Sequence, residues 1–418
     1  MTPTLIKRKK FFFIATALVL GCASARVSQV TIDNAFRDSD WSRAISELET
    51  GLKKEGDGVD QLLFLMDLGL VHRVAGNFQE SNRYFQEADK TADLKDYTSL
   101  STEASTLLVS DNITQYKGED FENVLISEYM ALNYAALGDW EGTLVETKRV
   151  NHKLYRMKTE GKRSYDENPF AHYLTGAVYE AMGEPDNAYV SYKRAYALRG
   201  DDVRIREDGW RMSVLLGLDD DRERWEKDLG WSSEQAKARA KDAKAVRSDP
   251  EVVVIFENGI GPEKRPNPNF VKVPQFFPRY NPIDHARVTI DGVDVGRTTI
   301  MDDIEATAIA TLDEKYSGIV AKKIAGVVAK EVAGEVVARQ TDSPLLGFIT
   351  KIALHAADQA DLRHWKLLPK NFQVLRVRTK PGPHVVKVFL DDRTEPFATR
   401  EIQSQAKTKT FLAFRSVP

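Results

Sequence analysis

The sequence predicts a multidomain chain: an all-α solenoid of helical repeats, then an α+β domain with a β-sandwich and a helical insertion. Three observations carry this. Between residues 30 and 217 one turn recurs, as H-R-V-A-G-N-F at 72–78, Y-A-A-L-G-D-W at 134–140 and Y-E-A-M-G-E-P-D at 179–186, each between two amphipathic helical patterns. After Ser248-Asp249-Pro250 the pattern changes to β-branched runs and apolar/polar alternation, beginning at residues 252–256. A long alanine- and valine-rich helical stretch at 314–340 then interrupts the strands.

The chain opens with Lys7, Arg8, Lys9 and Lys10, an apolar run over 11–20, and V-L-G-C at 19–22. This is the layout of a secretory signal, too short to span a bilayer as a stable helix. Two processing readings stand. Ala23-Ser24-Ala25 fits the A-x-A cleavage pattern and would release a soluble protein starting at Arg26. Alternatively Cys22, the only cysteine in 418 residues, begins the mature protein. The V-L-G-C run resembles the lipobox of bacterial lipoproteins. That resemblance implies acylation of the Cys22 thiol, a membrane anchor and, with Ala23 rather than Asp next, an outer-membrane address on the periplasmic face.

Without residues 1–21 the chain has 397 residues, enough for two domains, and 55 basic against 62 acidic side chains, a net charge of −7. A binder of nucleic acid or anionic lipid surfaces would lean basic. A single cysteine excludes an intramolecular disulfide and Cys-based metal or redox chemistry. No cofactor is implied. Beyond the signal no apolar stretch reaches eighteen residues, so no further span is expected.

The repeat domain is placed at 22–247. Leu68, Gly69, Ser81, Phe85 and Ala88 in one copy, and Gly176, Tyr179, Ala188, Tyr192 and Ala195 in another, fall on the large, small and aromatic slots of a helix-turn-helix. Met130, Ala131, Tyr134 and Thr143 fit a third copy, with Thr147 and Val150 departing from it; Trp41, Ala44 and Leu48 mark a degenerate copy, and residues 204–228 a capping one. The pattern resembles the tetratricopeptide repeat. Uneven spacing predicts an extra helix near 97–108 and a loop at 111–120. The resemblance implies a concave face that holds a protein partner, with Arg73, Glu128, Phe170, Tyr173 and Glu180 at groove-facing positions. The other reading has Phe170 and Tyr173 packed between helices and the charges solvated.

The second domain is placed at 248–418. Six prolines within 262–282 rule out a central strand there, and the segment is expected to strap across the domain. Residues 287–299 alternate and turn at Asp291-Gly292, and P-G-P-H at 381–384 precedes a second strand. The V-x-I-D-G hairpin and the P-G-x-H strand resemble the two ends of a PEGA-type envelope β-domain, with an insertion at about 303–363 between them. In the insertion Ala321, Ala325, Ala329 and Ala333 share a helical face, and Val320, Ile324, Val328, Val332 and Val336 form the adjacent stripe, expected to pack against a second helix at 345–363. Asp302 and Asp303 are natural N-terminal charges for the first of these helices. The signal with its cysteine, the run at 121–140, A-D-x-A-D-L-R-H-W at 357–365 and the P-G-x-H strand together resemble bacterial tetratricopeptide-repeat lipoproteins.

Catalytic patterns are weak. Ser404-Gln405-Ala406-Lys407 and Ser110-Asp111-Asn112 occur in the wrong order for a penicillin-binding hydrolase and lack K-T-G. None of the seven histidines has metal-ligand spacing. The expectation is an outer-membrane-anchored protein-interaction scaffold for envelope assembly or biogenesis, not an enzyme. The alternative is an envelope hydrolase or cell-wall binder around Asp361, His364 and His384, with His364 otherwise read as a cation at a helix terminus.

Overall fold

The computed structural model describes residues 22–99, 114–160, 164–245, 248–357 and 359–417. Among them, five helix-turn-helix pairs come first: α1 (Cys22–Arg37) with α2 (Trp41–Glu55), α3 (Gln61–Val74) with α4 (Phe78–Ser99), α5 (Asp120–Leu137) with α6 (Trp140–Thr159), α7 (Pro169–Ala181) with α8 (Pro185–Leu198), and α9 (Val203–Leu216) with α10 (Asp219–Asp228). Helix α11 (Ser233–Ala245) packs on α9. The predicted signal at 1–21 and the part of the expected extra helix beyond Ser99 lie outside the described residues.

Short polar side chains set the helix starts. The carboxylates of Asp40 and Asp139 accept from the backbone N–H of Arg43 (3.1 Å) and Gly142 (2.9 Å), and the Asn168 amide oxygen from that of Ala171 (3.0 Å). Gly138 and Gly217 end α5 and α9 in the left-handed region that a Cβ disfavours. What makes these pairs repeats is an interlock of a glycine with a ring sixteen residues later. A Cβ on Gly69 would lie 2.5 Å from the Phe85 ring, one on Gly176 2.6 Å from Tyr192, and one on Gly209 2.7 Å from Trp225. The rings occupy the space a side chain would need, so the paired helices approach closely.

The second half is built on sheets. One has the order β10 (Lys409–Arg415), β1 (Glu251–Asn258), β7 (Asn371–Arg378), β6 (Thr299–Asp302); the other has β5 (Val293–Arg297), β4 (Ala286–Ile290), β8 (Gly382–Leu390), β9 (Ala398–Ser404). Strand β1 runs antiparallel to β7 and parallel to β10. All eight of its residues are buried, because alternate side chains serve two cores. Val252, Val254 and Phe256 join Val288, Ile290, Val386 and Val388 between the sheets, while Val253 and Ile255 join Leu65, Tyr129 and Phe170 of the helices. The proline-rich segment forms a separate ribbon, β2 (Glu263–Asn267) with β3 (Phe270–Phe277), and Phe276 packs edge-on to Phe121 at 5.8 Å.

Between β6 and β7 stands a helical hairpin, α12 (Ile304–Gln340) and α13 (Pro344–Ala357). Asp303 caps α12 by accepting from Ala306 N at 3.0 Å, and its first turns bury Ile304, Ala308 and Leu312 in the core. Farther out the valine stripe does not pack on the second helix as expected. Ile324, Val328, Val332 and Val336 face solvent, as do Leu345, Leu346, Phe348, Ile349 and Ile352 of α13. The seam is made instead by buried Gly334 and Gly347, where a Cβ on Gly347 would sit 2.5 Å from Ala338 Cβ, and by the stem of Lys351. Glycine on both helices lets the backbones meet, which turns the bulkier side chains outward. The second helix also ends earlier than expected, at Ala357, and no described residue beyond it is helical before β7.

Replacing Gly176 by Ala should lower stability by about 1–3 kcal/mol through overlap with Tyr192. Gly318→Ala, in a helix interior with nothing within 4 Å, should instead raise it by up to about 1 kcal/mol. Urea denaturation of both variants compares the two signs.

Candidate functional site

The inner face of the repeats is where the sequence places the site, and the chain's own sheet fills it. Tyr129 of α5 stands at the centre, with Phe85, Trp365 and Phe372 around its ring at 5.4–5.6 Å, and Phe170 of α7 packs against Phe372 at 5.9 Å. At one end Arg73 of α3 pairs with Glu257 of β1 at 2.7 Å and donates to Asn133 Oδ1 at 2.6 Å. At the other, Arg376 of β7 reaches Glu180 (3.0 Å), Asp208 (2.7 Å) and Glu251 (2.7 Å). Arg211 of α9 binds Glu180 and Asp208 at 2.6 Å each, and Lys409 of β10 contacts Glu251 and Glu180. Three cations and three carboxylates thus form one buried cluster of zero net charge. Burial alone would raise the Glu180 carboxyl; Arg211, Lys409 and Arg376 outweigh it and hold it well below the usual range.

Phe170 and Tyr173 are packed in the interior, as the second sequence reading has it, but the charged residues fit neither reading. Arg73 and Glu180 are neither solvated nor open to a second protein; they are spent on ion pairs to strands. Tyr173 donates to Asp208 at 2.8 Å and lies under the Arg376 guanidinium. Glu128 is buried too, facing Asp302 at the sheet edge rather than a partner. The Asn168 amide donates to Glu128 Oε2 (3.0 Å) and Asp302 Oδ2 (3.2 Å). Burial pushes the Asp302 carboxyl up to about 6, and burial with the charge of Asp302 raises Glu128 well above its ordinary range. Asp302 was expected as a helix N-terminal charge; Asp303 alone caps α12. Helix α1 starts at Cys22, whose side chain lies outside what the structure describes.

The alternative trio does not converge. Asp361 is tied to Arg363 at 2.7 Å. His364 sits in irregular chain rather than at a helix end, and burial pushes it down to about 3, so it is neutral and not the expected cation. His384 pairs with Asp291 at 2.6 Å at the β4–β5 turn. A cavity that His364 lines includes neither Asp361 nor His384. Among the described residues no group of three or more His, Cys, Asp or Glu side chains is arranged to hold a metal ion.

Sequence reasoning missed Arg376, Arg211, Asp208, Glu251 and Lys409. One signal was present: Arg376 and Arg378 alternate with Val377 directly after Val374 and Leu375, and cations on such a strand are costly unless a partner surface neutralises them.

No protein-family model matches the chain, and no curated protein matches it. Several solved structures resemble part of it. A crystal structure of MamA aligns with a TM-score of 0.35 at 15% identity, covering 52% of this chain and 93% of that one. A tetratricopeptide repeat protein from Parabacteroides merdae aligns at 0.34 and 17% (53% and 78% covered), and BtubC from P. vanneervenii at 0.34 and 15% (53% and 80%). Similarity this distant decides nothing about activity; the glycine–ring interlocks of the chain itself carry its helical-repeat character.

Arg376→Ala should cost about 3–5 kcal/mol, since it leaves three buried carboxylates short of a cation; the urea midpoint reads this. The Asp302 carboxyl is raised in the folded state, so its contribution to stability is full below the unfolded value near 4 and is lost as pH rises through about 6. Relative to Asp302→Asn, the native chain should therefore lose about 1 kcal/mol between pH 5 and pH 7.5, measured as the difference between the two denaturation midpoints.

Proposed function

We propose that this chain is a lipoprotein anchored through Cys22 on the periplasmic face of the outer membrane, acting as a protein-interaction scaffold in cell-envelope assembly or biogenesis. Helical repeats commonly hold partner proteins. With the concave face occupied by the sheet, the partner surface is the α12–α13 hairpin, and this is the observation that carries the reading. Nine large apolar side chains, 44–66% exposed, stand on this one hairpin. A self-contained monomer leaves an apolar patch of about 300–600 Å², and a stable interface takes about 800 Å² from each side. Glu331, Glu335 and Arg339 lie among the exposed residues of α12. They suit a partner helix with complementary charges better than lipid tails.

The domain limits fit this reading: repeats at 22–247, and at 248–418 a β-sandwich of PEGA type that carries the insertion. Direct pairing of β4 with β8, Ala286 opposite Leu390 through Ile290 opposite Val386, supports it, because the two motif ends are neighbours in space despite the hairpin between them.

A photo-crosslinker at Val328 in the native envelope should give one discrete protein adduct that Val332→Asp abolishes. Adducts with lipid alone, or an adduct indifferent to Val332→Asp, would overturn the scaffold surface. Intact-mass analysis should find an acylated N-terminus at residue 22; a soluble product beginning at Arg26 would overturn the anchor.

A further inference from the structure

A second region carries a chemistry of its own. Between α1, the β2 strand and the segment 362–367 lies a cavity of about 540 Å³, lined by Arg37, Lys264, Arg279, Lys366, His364, Glu263 and Asp33 together with Phe36, Ile260, Leu362 and Leu367. Its volume is within the ~300–1,000 Å³ of small-molecule sites. The charges do not balance. Lys264 is neutralised by Glu119 at 2.5 Å and Glu263 is taken by Arg265 at 2.5 Å, while the charge of Asp33, which also lines the cavity, acts on Arg279. The side chains of Arg37, Arg279 and Lys366 make no ion pair among the described residues. Burial, with the nearby charges of Arg37 and Arg265, pulls the half-buried Arg279 guanidinium below its ordinary value against the pull of Glu263 and Asp33. Even with Asp33 and Glu263 in its wall, four basic side chains against two acidic ones leave this concavity positive in a chain whose net charge is −3, which favours a bound anion.

We propose that this cavity binds a phosphate group carried by a hydroxylated small molecule, with Arg37, Arg279 and Lys366 as its counter-charges. Two guanidinium forks and an ammonium match the accepting oxygens of a phosphate better than a planar carboxylate. The hydroxyl follows from His364. Its Nδ1 lies 2.9 Å from Leu362 O and must donate to that carbonyl. In the neutral ring Nε2 is then an acceptor, and it has no partner. A hydroxyl beside the phosphate supplies the missing donor. Lys366 lies two residues from His364, so one ligand spans both. A glycerol phosphate unit has this chemistry, whether free in solution or as the headgroup of an anionic phospholipid.

Calorimetric titration of the purified protein at low salt decides it. Glycerol 3-phosphate is the free probe. Dihexanoylphosphatidylglycerol below its micelle concentration is the lipid probe, and dihexanoylphosphatidylcholine is its zwitterionic control. Saturable binding of either glycerol phosphate, at least about tenfold weaker in Arg279→Gln and in Lys366→Gln, is the expected result; whichever probe binds more tightly names the source. Both variants remove repulsion, so their urea midpoints should equal or exceed that of the native protein, which separates lost binding from lost folding. Inorganic phosphate binding as tightly as glycerol 3-phosphate would overturn the hydroxyl contact to His364. Equal binding of both probes to the native protein and to the Arg279→Gln, Lys366→Gln double variant, or none to either, would overturn the site.

Discussion

Double burial of strand β1 is the constraint on which the remaining architecture depends. A strand in the middle of an ordinary two-layer domain needs one apolar face; this one needs two, because Val252, Val254 and Phe256 close the space between sheets while Val253 and Ile255 close the space under the helices. The solenoid and the sheets therefore share a structural layer. Neither Tyr129 nor Phe372 has a complete environment without the other half of the chain.

Apolar contact alone fixes neither register nor orientation at such an interface, and the charge clusters supply both. Arg376 meets carboxylates from α7, α9 and β1, while Arg73 and Arg415 flank Glu257 at the opposite end. Buried ion pairs of this kind add little net stability over well-packed apolar residues, yet breaking one is expensive. Their effect is to penalise every docking of the sheet except one.

Local features of the fold were legible. The recurring turn at 134–140, the small-then-aromatic rhythm of Gly69/Phe85 and Gly176/Tyr192, and the Asp291-Gly292 turn all depend on neighbours within about sixteen residues. The site was legible only in part. The repeat pattern put Arg73, Phe170 and Glu180 at groove-facing positions as one of two readings, but what the structure places against them lies up to about two hundred residues away, and spacing carries no information about that. The valine stripe failed for a related reason: periodicity says which residues share a helix face, and the glycines on both helices decided which face met the neighbour. His364 was misread because the helix ends at Ala357, leaving the ring buried in irregular chain with no dipole to answer.

The parallel ladder between β1 and β10 has a consequence for biosynthesis. A ribosome releases Glu251 long before Lys409, so β1 waits for its partner while more than a hundred and fifty residues are translated. For most of that interval Tyr129, Phe170 and the carboxylates of Glu180 and Asp208 lack Phe372 and Arg376 of β7 as well, and Glu180 and Glu251 lack Lys409 until β10 follows. A nascent chain of this design keeps an apolar, charged inner face open until β7 and then β10 reach it, and a chain cut before β10 leaves one edge of β1 without its parallel partner.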